Sequence, residues 1–326
     1  MPPSPSKPAG DFGIYILAND CVLEYAKALF RSLRHHNPDI PAFIIPFDHR
    51  MEAITKEAQA FNIGIYDAPY LRELDAMASE CFGEAGIGMH MFRRLAAYWG
   101  PLETFFYIDV DIVLLDDPAK ILNAFAQADC DFLSFDNDET RVYCPGPLRD
   151  RMQQECGSKS FNSGAYVSRR GLFDLAAIER LGREAKEIRQ QFAIYGDQSF
   201  INYIVDVSGL RQRRLPEIDS KYPDKEWSDQ APIAWKDGAY RPLDSKSPDY
   251  GKALPFIHWA GHGQRDNFPN RHLFYHFRLL DASKWEAFTY RLADRWRWSI
   301  APVRQLWGWT QHKFRRLLQK LGIKNA

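Results

Sequence analysis

The chain has 326 residues, 45% of them apolar, and its 42 basic side chains balance 42 acidic ones. This apolar content suffices for one large α/β domain with an appendage or for two domains, and zero net charge gives no general attraction for nucleic acid. The five cysteines are odd in number and lack C-x-x-C spacing, which favours a reducing compartment over a disulfide framework or a zinc site. No apolar stretch approaches the roughly 20 residues of a membrane span, and residues 1–11, rich in proline, are predicted to be a disordered lead-in.

The N-terminal part of the chain alternates predicted strands with predicted helices. The strands are predicted at Phe12–Ala18, Ala42–Pro46 and Ile63–Tyr66, and the helices at Val22–His35 and Met51–Phe61. This alternation predicts a mainly parallel sheet with helices on both faces, and such sheets bind ligands at the carboxyl ends of their strands. Asn19 and Asp20 follow the first strand, so we expect them at that edge.

A longer helical pattern, Leu71–Trp99, comes next and has a glycine-rich interruption around Gly86. Arg93 and Arg94 lie in its last turns. Taken alone, such an arginine pair is explained as well by a solvated helix face.

The stretch Thr104–Pro118 carries the strongest chemical signal. An apolar run leads into Asp109-Val110-Asp111 and a second apolar run follows, which is typical of a central strand. Residues two apart in an extended chain point to the same side, so Asp109 and Asp111 can share one divalent cation while Val110 points away. An isolated D-x-D after a strand is more often a solvated turn, so its weight depends on the other motifs.

The second half of the chain places polar residues at the ends of further predicted elements. Strands are predicted at 130–135, 165–168 and 254–258, helices at 118–127 and 171–191, irregular structure at 139–159, and loops with short strands at 211–254. A further helix begins at 196–198, and Asp197 is placed where it could cap this helix. Asp136 follows the first of these strands, and His258 ends the last.

Four motifs occur in an order and spacing that resemble family 8 of the glycosyltransferases, the glycogenin and lipopolysaccharide galactosyl- and glucosyltransferase group. They are Asp109-Val110-Asp111, Phe161-Asn162-Ser163-Gly164, Gly196-Asp197-Gln198 and His258-Trp259-Ala260-Gly261. The likeness runs from Ile14 to about Gly263. It implies an α/β fold of the GT-A type, a Rossmann-like mixed, mainly parallel sheet flanked by helices, in residues 12–284.

The resemblance also implies roles for individual residues. His258 would be the third metal ligand beside Asp109 and Asp111, for Mn²⁺ or Mg²⁺, and Asp197 and Gln198 would lie at the catalytic centre. Either Arg93 or Arg94 stands where the family has a basic residue that contacts the donor. The other residues assigned to the donor, a UDP-sugar, are Leu17, Asn19, Asp20, Val110, Asp136, Asn162, Ser163, Gly261 and Arg265.

One departure from the family pattern concerns the diphosphate. The family typically has a lysine three residues after the glycine of the histidine motif, and Gln264 stands there in this chain. Arg265 could replace the lysine, or the diphosphate could be bound by the ion, His262 and backbone amides.

The C-terminal segment, residues 285–326, differs in composition from the rest of the chain. It contains five of the nine tryptophans and nine basic residues against Glu286 and Asp294. Apolar residues between Val303 and Leu321 recur at helical spacing, so an amphipathic helical extension with a basic face is predicted. Such a helix can lie on an anionic membrane surface, pack on the catalytic domain or form a dimer. We favour the membrane surface.

These observations together predict a cytoplasmic, metal-dependent, retaining glycosyltransferase at the inner face of the membrane. It would move a hexose from a UDP-sugar to a saccharide acceptor, lipid-linked or at the cell surface. Two alternatives are a nucleotidyltransferase and a nucleotide-sugar-binding protein without turnover. The sequence identifies neither the sugar, nor the acceptor, nor the oligomeric state.

Overall fold

The computed structural model describes residues 12–83, 88–137, 139–224, 231–262 and 268–294. These residues divide into two units. The larger comprises those within Met1–Ala260 and Pro269–Arg278, and the smaller comprises those within Gly261–Phe268 and Leu279–Ala326.

The strands of the larger unit are mostly short. They are β1 (Phe12–Ala18), β2 (Ala42–Pro46), β3 (Gly64–Ile65), β4 (Thr104–Asp109), β5 (Ile112–Leu114), β6 (Phe132–Ser134), β7 (Ala165–Arg169), β8 (Gln212–Arg214), β9 (Ile233–Lys236), β10 (Ala239–Pro242) and β11 (Phe256–His258).

The α-helices connect these strands, together with the 3₁₀ helices found among the described residues. The α-helices are α1 (Leu23–His36), α2 (Glu52–Ala60), α3 (Leu71–Phe82), α4 (Ala119–Gln127), α5 (Glu139–Val142), α6 (Pro147–Glu155), α7 (Leu175–Glu187), α8 (Asp197–Val207), α9 (Leu215–Ile218) and α10 (Arg271–Leu279). The 3₁₀ helices are Asp20–Val22, Met89–Trp99 and Arg189–Gln191. In the smaller unit, residues 284–294 are helical.

Seven of the strands form one mixed sheet in the order β3-β2-β1-β4-β7-β6-β8. The pairs β1–β2, β1–β4, β2–β3 and β6–β8 are parallel, whereas β4–β7 and β6–β7 are antiparallel. The predicted mixed, mainly parallel sheet is therefore confirmed. Its central strand is β4, which carries the D-x-D motif at its carboxyl end.

Both faces of this sheet are buried, as the unbroken apolar run of β4 requires. Phe105 and Tyr107 belong to a core cluster that includes residues of α3, α7 and α8. Phe106 and Ile108 point the other way, into a cluster with residues of α1, α2 and α4. This alternation follows from the two-residue period of a strand. It leaves the ends of the strands as the part of the sheet where polar side chains can reach solvent.

Two further strand pairs lie outside the main sheet. β5 pairs antiparallel with β11, so that His258 is opposite Ile112. β9 and β10 form a hairpin whose turn contains Asp237 and Gly238, both with positive φ. Asp-Gly is the dipeptide favoured in such turns. This hairpin lies in the stretch 211–254, for which the sequence predicts loops with short strands.

The stretch 139–159, predicted to be irregular, instead contains the helices α5 and α6. The remaining predicted elements differ from the observed ones mainly at their ends. The pattern over Leu71–Trp99 is divided into α3 and the 3₁₀ helix Met89–Trp99. The predicted helix 171–191 is α7 followed by a short 3₁₀ turn. Among the described residues, no helix is both long and apolar enough to cross a membrane.

Candidate active site

The two aspartates and the histidine of the predicted metal site meet where β4, β5 and β11 come together. Asp109 is the last residue of β4, and Asp111 lies just before β5. The pairing of β11 with β5 brings His258 beside Asp111, and the Trp259 amide donates a hydrogen bond to the Asp111 carbonyl at 3.1 Å. One ligand atom from each of the three side chains lies within 4.8 Å of the others.

The electrostatics of this cluster favour a bound cation. Burial and the neighbouring Asp111 carboxylate raise the pKa of Asp109, although Arg94 opposes them. For Asp111, burial acts in the same direction, but His258, whose Nε2 lies 3.2 Å from Oδ1, holds the pKa below its usual value. Two half-buried carboxylates therefore share one small space with an imidazole, which is the mixed oxygen and nitrogen donor set that suits Mn²⁺.

Because Gly164 has no side chain, it leaves room for the side chains of Asp109 and His258. A Cβ at this position would lie 2.9 Å from Oδ2 of Asp109 and still closer to the ring of His258. The carbonyl of Gly164 accepts a hydrogen bond from the Asp109 amide at 2.7 Å, so its backbone also fixes the end of β4. Any side chain at this position would displace one of the candidate ligands.

Arg94 connects the metal cluster to the start of α8. Its guanidinium is almost fully buried and lies 3.5 Å from Oδ1 of Asp109 and 3.3 Å from Oδ2 of Asp197. It also donates to the carbonyl and the hydroxyl of Ser163, at 3.0 and 3.2 Å. Burial acts to lower the pKa of Arg94, but the facing acidic groups, Asp109 foremost, hold it above its usual value. The carboxylates of Asp109 and Asp197, from distant segments of the chain, thus both face the guanidinium of Arg94.

Asp197 does not cap α8, although its position in the sequence would allow it. The N-cap is Gly196, without a side-chain hydrogen bond, and Asp197 is the first helical residue. Its carboxylate faces Arg94 instead. The buried guanidinium of Arg94 needs such a counter-charge, because an unpaired buried charge costs several kcal/mol.

Asn202 attaches α8 to the loop that precedes β7. Its side chain accepts from the Phe161 amide at 2.9 Å and donates to the Phe161 carbonyl at 2.8 Å. It also donates to the carbonyl of Gln198 at 2.9 Å. The helix that carries Asp197 and Gln198 and the loop that carries Asn162 and Ser163 are therefore fixed together.

The other residues predicted for the sugar belong to that loop and its surroundings. The Asn162 amide donates to Oδ1 of Asp136 at 2.8 Å, and the Asn162 side chain accepts from the Gly164 amide at 2.8 Å. Ser163 contacts Arg94. The structure therefore brings Asp136, Asn162 and Ser163 close to the metal cluster and the arginine.

The predicted residues at the end of β1 have local hydrogen-bonding partners. Asn19 donates to Asp48 at 2.9 Å, and Asp20 accepts from the Ile54 amide, in the first turn of α2, at 2.8 Å. Leu17 is buried and pairs in register with Asp109.

The two arginines before β4 have different surroundings. Arg93 pairs with Asp75 and donates to the Pro46 carbonyl at 3.1 Å. Only Arg94 of the two is paired with Asp109 and Asp197 in the described residues.

The last three residues assigned to the donor stay predictions. Val110, between the two aspartates, is half-buried and packs on the cluster that contains Phe106. Gly261 follows β11 in a turn with φ of 75°. Arg265 lies outside the described residues.

Tyr107 is a site residue that the sequence reasoning missed. Its phenol donates a 2.7 Å hydrogen bond to Oδ1 of Asp109. Burial holds the pKa of Tyr107 well above its usual value, so the phenol keeps its proton. The two-residue period of β4, which places Tyr107 and Asp109 on the same side of the strand, is the signal that could have identified it.

The sheet order, with an acidic motif at the carboxyl end of its central strand, is that of the GT-A fold. Solved glycosyltransferase structures share this fold. A complex of galactosyltransferase LgtC with donor and acceptor sugar analogues matches with a TM-score of 0.53 at 13% identity, over 82% of this chain and 95% of LgtC. The apo structure of the bifunctional glycosyltransferase WbbM matches with a TM-score of 0.50 at 15% identity, over 88% of this chain.

The chain spans about half the length of WbbM, since the match covers 52% of that protein. No protein-family model and no curated protein matches the chain. The predicted resemblance to family 8 glycosyltransferases is confirmed at the level of the fold.

Proposed function

We propose that the chain is a metal-dependent glycosyltransferase that moves a hexose from a UDP-sugar to a saccharide with retention of configuration. The observation that carries this proposal is the meeting of Asp109, Asp111 and His258 at the carboxyl end of the central strand of a GT-A fold. The LgtC structure, which holds donor and acceptor sugar analogues, supports a sugar donor and a sugar acceptor for this chain as well.

Asp109, Asp111 and His258 would hold a divalent ion, Mn²⁺ or alternatively Mg²⁺. Such an ion neutralises the charge that develops on a diphosphate leaving group as the glycosidic bond breaks. The donor set fits this role, and the absence of a side chain at Gly164 leaves room for the ring of His258 and the carboxylate of Asp109. Asp109 and Asp111 supply negative charge, and the buried His258 supplies a neutral nitrogen ligand.

Arg94 would hold the catalytic residues in register with the ion. Because one guanidinium faces both Asp109 and Asp197, it fixes the distance between the leaving-group side and the sugar side of the site. Asp197 and Gln198 are proposed to face the anomeric centre and to stabilise the positive charge of the sugar ring in the transition state. Attack on the same face as the leaving group would then retain the configuration.

The other residues assigned to the UDP-sugar are proposed to contact it because of their positions in the fold or in the sequence. Asp136, Asn162 and Ser163 would contact hydroxyl groups of the sugar, since their loop adjoins Arg94 and the aspartates. The end of β1 and the D-x-D turn would accommodate the nucleotide, and the turn after β11 would contact the diphosphate. Those three segments carry Leu17, Asn19, Asp20, Val110, Gly261 and Arg265.

The acceptor is proposed to be a saccharide, lipid-linked or at the cell surface, with the enzyme in the cytoplasm at the inner face of the membrane. In the smaller unit, the helical residues 284–294 expose Trp285, Phe288 and Leu292, which are 73, 57 and 57% accessible. Their spacing places them on one face of the helix. Lys284 and Arg291 lie next to this apolar face, as in helices that bind anionic lipid surfaces.

A panel of nucleotide sugars with Mn²⁺, assayed for donor hydrolysis, tests the proposed reaction without knowledge of the acceptor. We expect the wild-type protein to release free UDP from one of the donors, and we expect the Asp109→Asn variant to release none. Release of pyrophosphate would instead identify a nucleotidyltransferase. Binding of UDP with Mn²⁺ but no release from any donor would identify a binding protein without turnover.

A further inference from the structure

We propose that Tyr107 is a positioning residue that orients the carboxylate of Asp109, so that Oδ2 faces the metal ion while Oδ1 remains bonded to the protein. This inference rests on the proposed metal site. It assigns a function to a buried phenol two residues before the D-x-D motif.

The two oxygens of Asp109 have different surroundings. Oδ1 accepts the hydrogen bond from the Tyr107 phenol at 2.7 Å, and the Arg94 guanidinium lies 3.5 Å from the same atom. Oδ2 lies next to the position of the missing Cβ of Gly164, where the ring of His258 is also found. The hydrogen bond from Tyr107 therefore determines which oxygen is available to an ion held by His258.

The Tyr107 ring is itself fixed by aromatic packing across the sheet. It stacks on Tyr166 of β7 with ring centroids 5.1 Å apart and an interplanar angle of 21°. Tyr166 in turn stacks on Phe132 of β6 at 5.2 Å and 19°. All three rings are fully buried, and the Arg94 guanidinium lies 5.1 Å from the centroid of the Tyr107 ring. The phenol oxygen thus has little freedom to leave Asp109.

Without this hydrogen bond, the carboxylate of Asp109 would have a competing partner. Arg94 is buried, positively charged and close enough that a rotated carboxylate could pair with it through both oxygens. Such a pair would turn Oδ2 away from His258 and withdraw one anionic ligand from the ion. Tyr107 opposes this rotation, because the carboxylate would lose the hydrogen bond from the phenol if it turned toward Arg94.

The test compares Tyr107→Phe with Tyr166→Phe in the full chain. The two tyrosines stack on each other, and each substitution removes one buried phenol oxygen. The oxygen of Tyr166, however, has no hydrogen-bond partner among the described residues. Dissociation constants for Mn²⁺ are measured from the electron paramagnetic resonance signal of free Mn²⁺, without nucleotide, and the thermal unfolding midpoints are compared.

We expect Tyr107→Phe to weaken Mn²⁺ binding roughly 10-fold, the usual effect of removing a hydrogen bond to a metal ligand. Tyr166→Phe should bind Mn²⁺ as the wild type does. If the proposed reaction occurs, turnover of Tyr107→Phe should return to the wild-type value at saturating Mn²⁺. A loss confined to metal affinity is not expected from a general packing defect.

Three results would overturn the inference. One is wild-type Mn²⁺ affinity in Tyr107→Phe, and another is an equal loss of affinity in both variants, which would indicate packing. In either case the metal site itself would stand. The third is a wild-type protein that binds no Mn²⁺, which would remove the proposed metal site and the role of Tyr107 together.

Discussion

At the scale of single residues, the sequence identifies the candidate metal ligands but not the residues that position them. Asp109, Asp111 and His258 stand out because they belong, as potential metal ligands, to ordered motifs that resemble those of family 8 glycosyltransferases. Gly164 and Tyr107 do not, since a glycine or an apolar-strand tyrosine has many uses. Their importance depends on which atoms lie next to them after folding.

Asp197 and Gln198 provide the first residue-scale prediction. If they act as charge develops in the transition state, Asp197→Asn and Gln198→Ala should lower kcat about 100-fold while changing donor affinity little. Turnover is measured with the donor found in the panel, and UDP-sugar affinity is measured by calorimetry. Donor binding that falls in proportion to kcat would make them donor-positioning or structural residues instead.

Gly164 provides the second residue-scale prediction. Gly164→Ala places a Cβ 2.9 Å from Oδ2 of Asp109 and even nearer the His258 ring, so one ligand must move. We expect Mn²⁺ binding to be lost. Gly83→Ala is the matched control, because Gly83 has φ of −56° and an added Cβ there would meet no atom within 4 Å. Wild-type Mn²⁺ affinity in Gly164→Ala would show that the ion, if bound, lies elsewhere.

At the scale of elements, six of the seven strands of the main sheet could be predicted because their apolar runs are bounded by clear breaks, whereas β8, Gln212–Arg214, is polar and has no such run. The bounds predicted for β1 and β2 agree with the structure. The pairing of β11 with β5 could not be predicted, since it joins segments more than 140 residues apart and makes no use of the main sheet. The metal site depends on that pairing, which is why the sequence assigns His258 through family resemblance rather than through strand order.

The α8 helix carries a buried acid whose ionisation should affect stability. Asp206 is 1% exposed and accepts hydrogen bonds from Tyr143 at 2.6 Å and from Gln212 at 2.8 Å. Burial raises its pKa to about 6, and Tyr143 and Cys156 are the ionisable groups that face it. The folded protein therefore binds a proton at Asp206 that the unfolded chain releases near pH 4.

The sign of the resulting pH dependence follows from this difference. The contribution of Asp206 to stability is full below about pH 4 and is lost as the pH rises through its folded pKa, by about 3 kcal/mol in total. Urea unfolding of wild type and Asp206→Asn between about pH 4 and pH 8 measures it, because the variant lacks the ionisable group. Parallel stability profiles for the two proteins would contradict the raised pKa.

At the scale of the whole molecule, the GT-A fold is predictable from the ordered motifs, whereas the C-terminal segment after residue 294 is known only by its composition. The predicted amphipathic helix between Val303 and Leu321 lies outside the described residues. Before it in the chain, residues 284–294 are helical and expose an apolar face that includes Trp285 and Phe288. Deletion of residues 285–326 should therefore leave transfer to a soluble acceptor nearly unchanged and abolish co-sedimentation with anionic vesicles.

The exposed face itself allows a sharper test, because substitution of surface side chains leaves the rest of the segment in place. The double variant Trp285→Ala/Phe288→Ala should reduce the fraction bound to vesicles that contain phosphatidylserine, since these rings would insert at the interface. Trp235→Ala is the matched control, a tryptophan 60% exposed on the β9–β10 hairpin of the larger unit. Binding should also fall as salt is raised, because each basic residue near the surface contributes about 1 kcal/mol that salt screens. Vesicle binding that survives the deletion, or that falls equally in Trp235→Ala, would show that the membrane contact is made elsewhere on the protein.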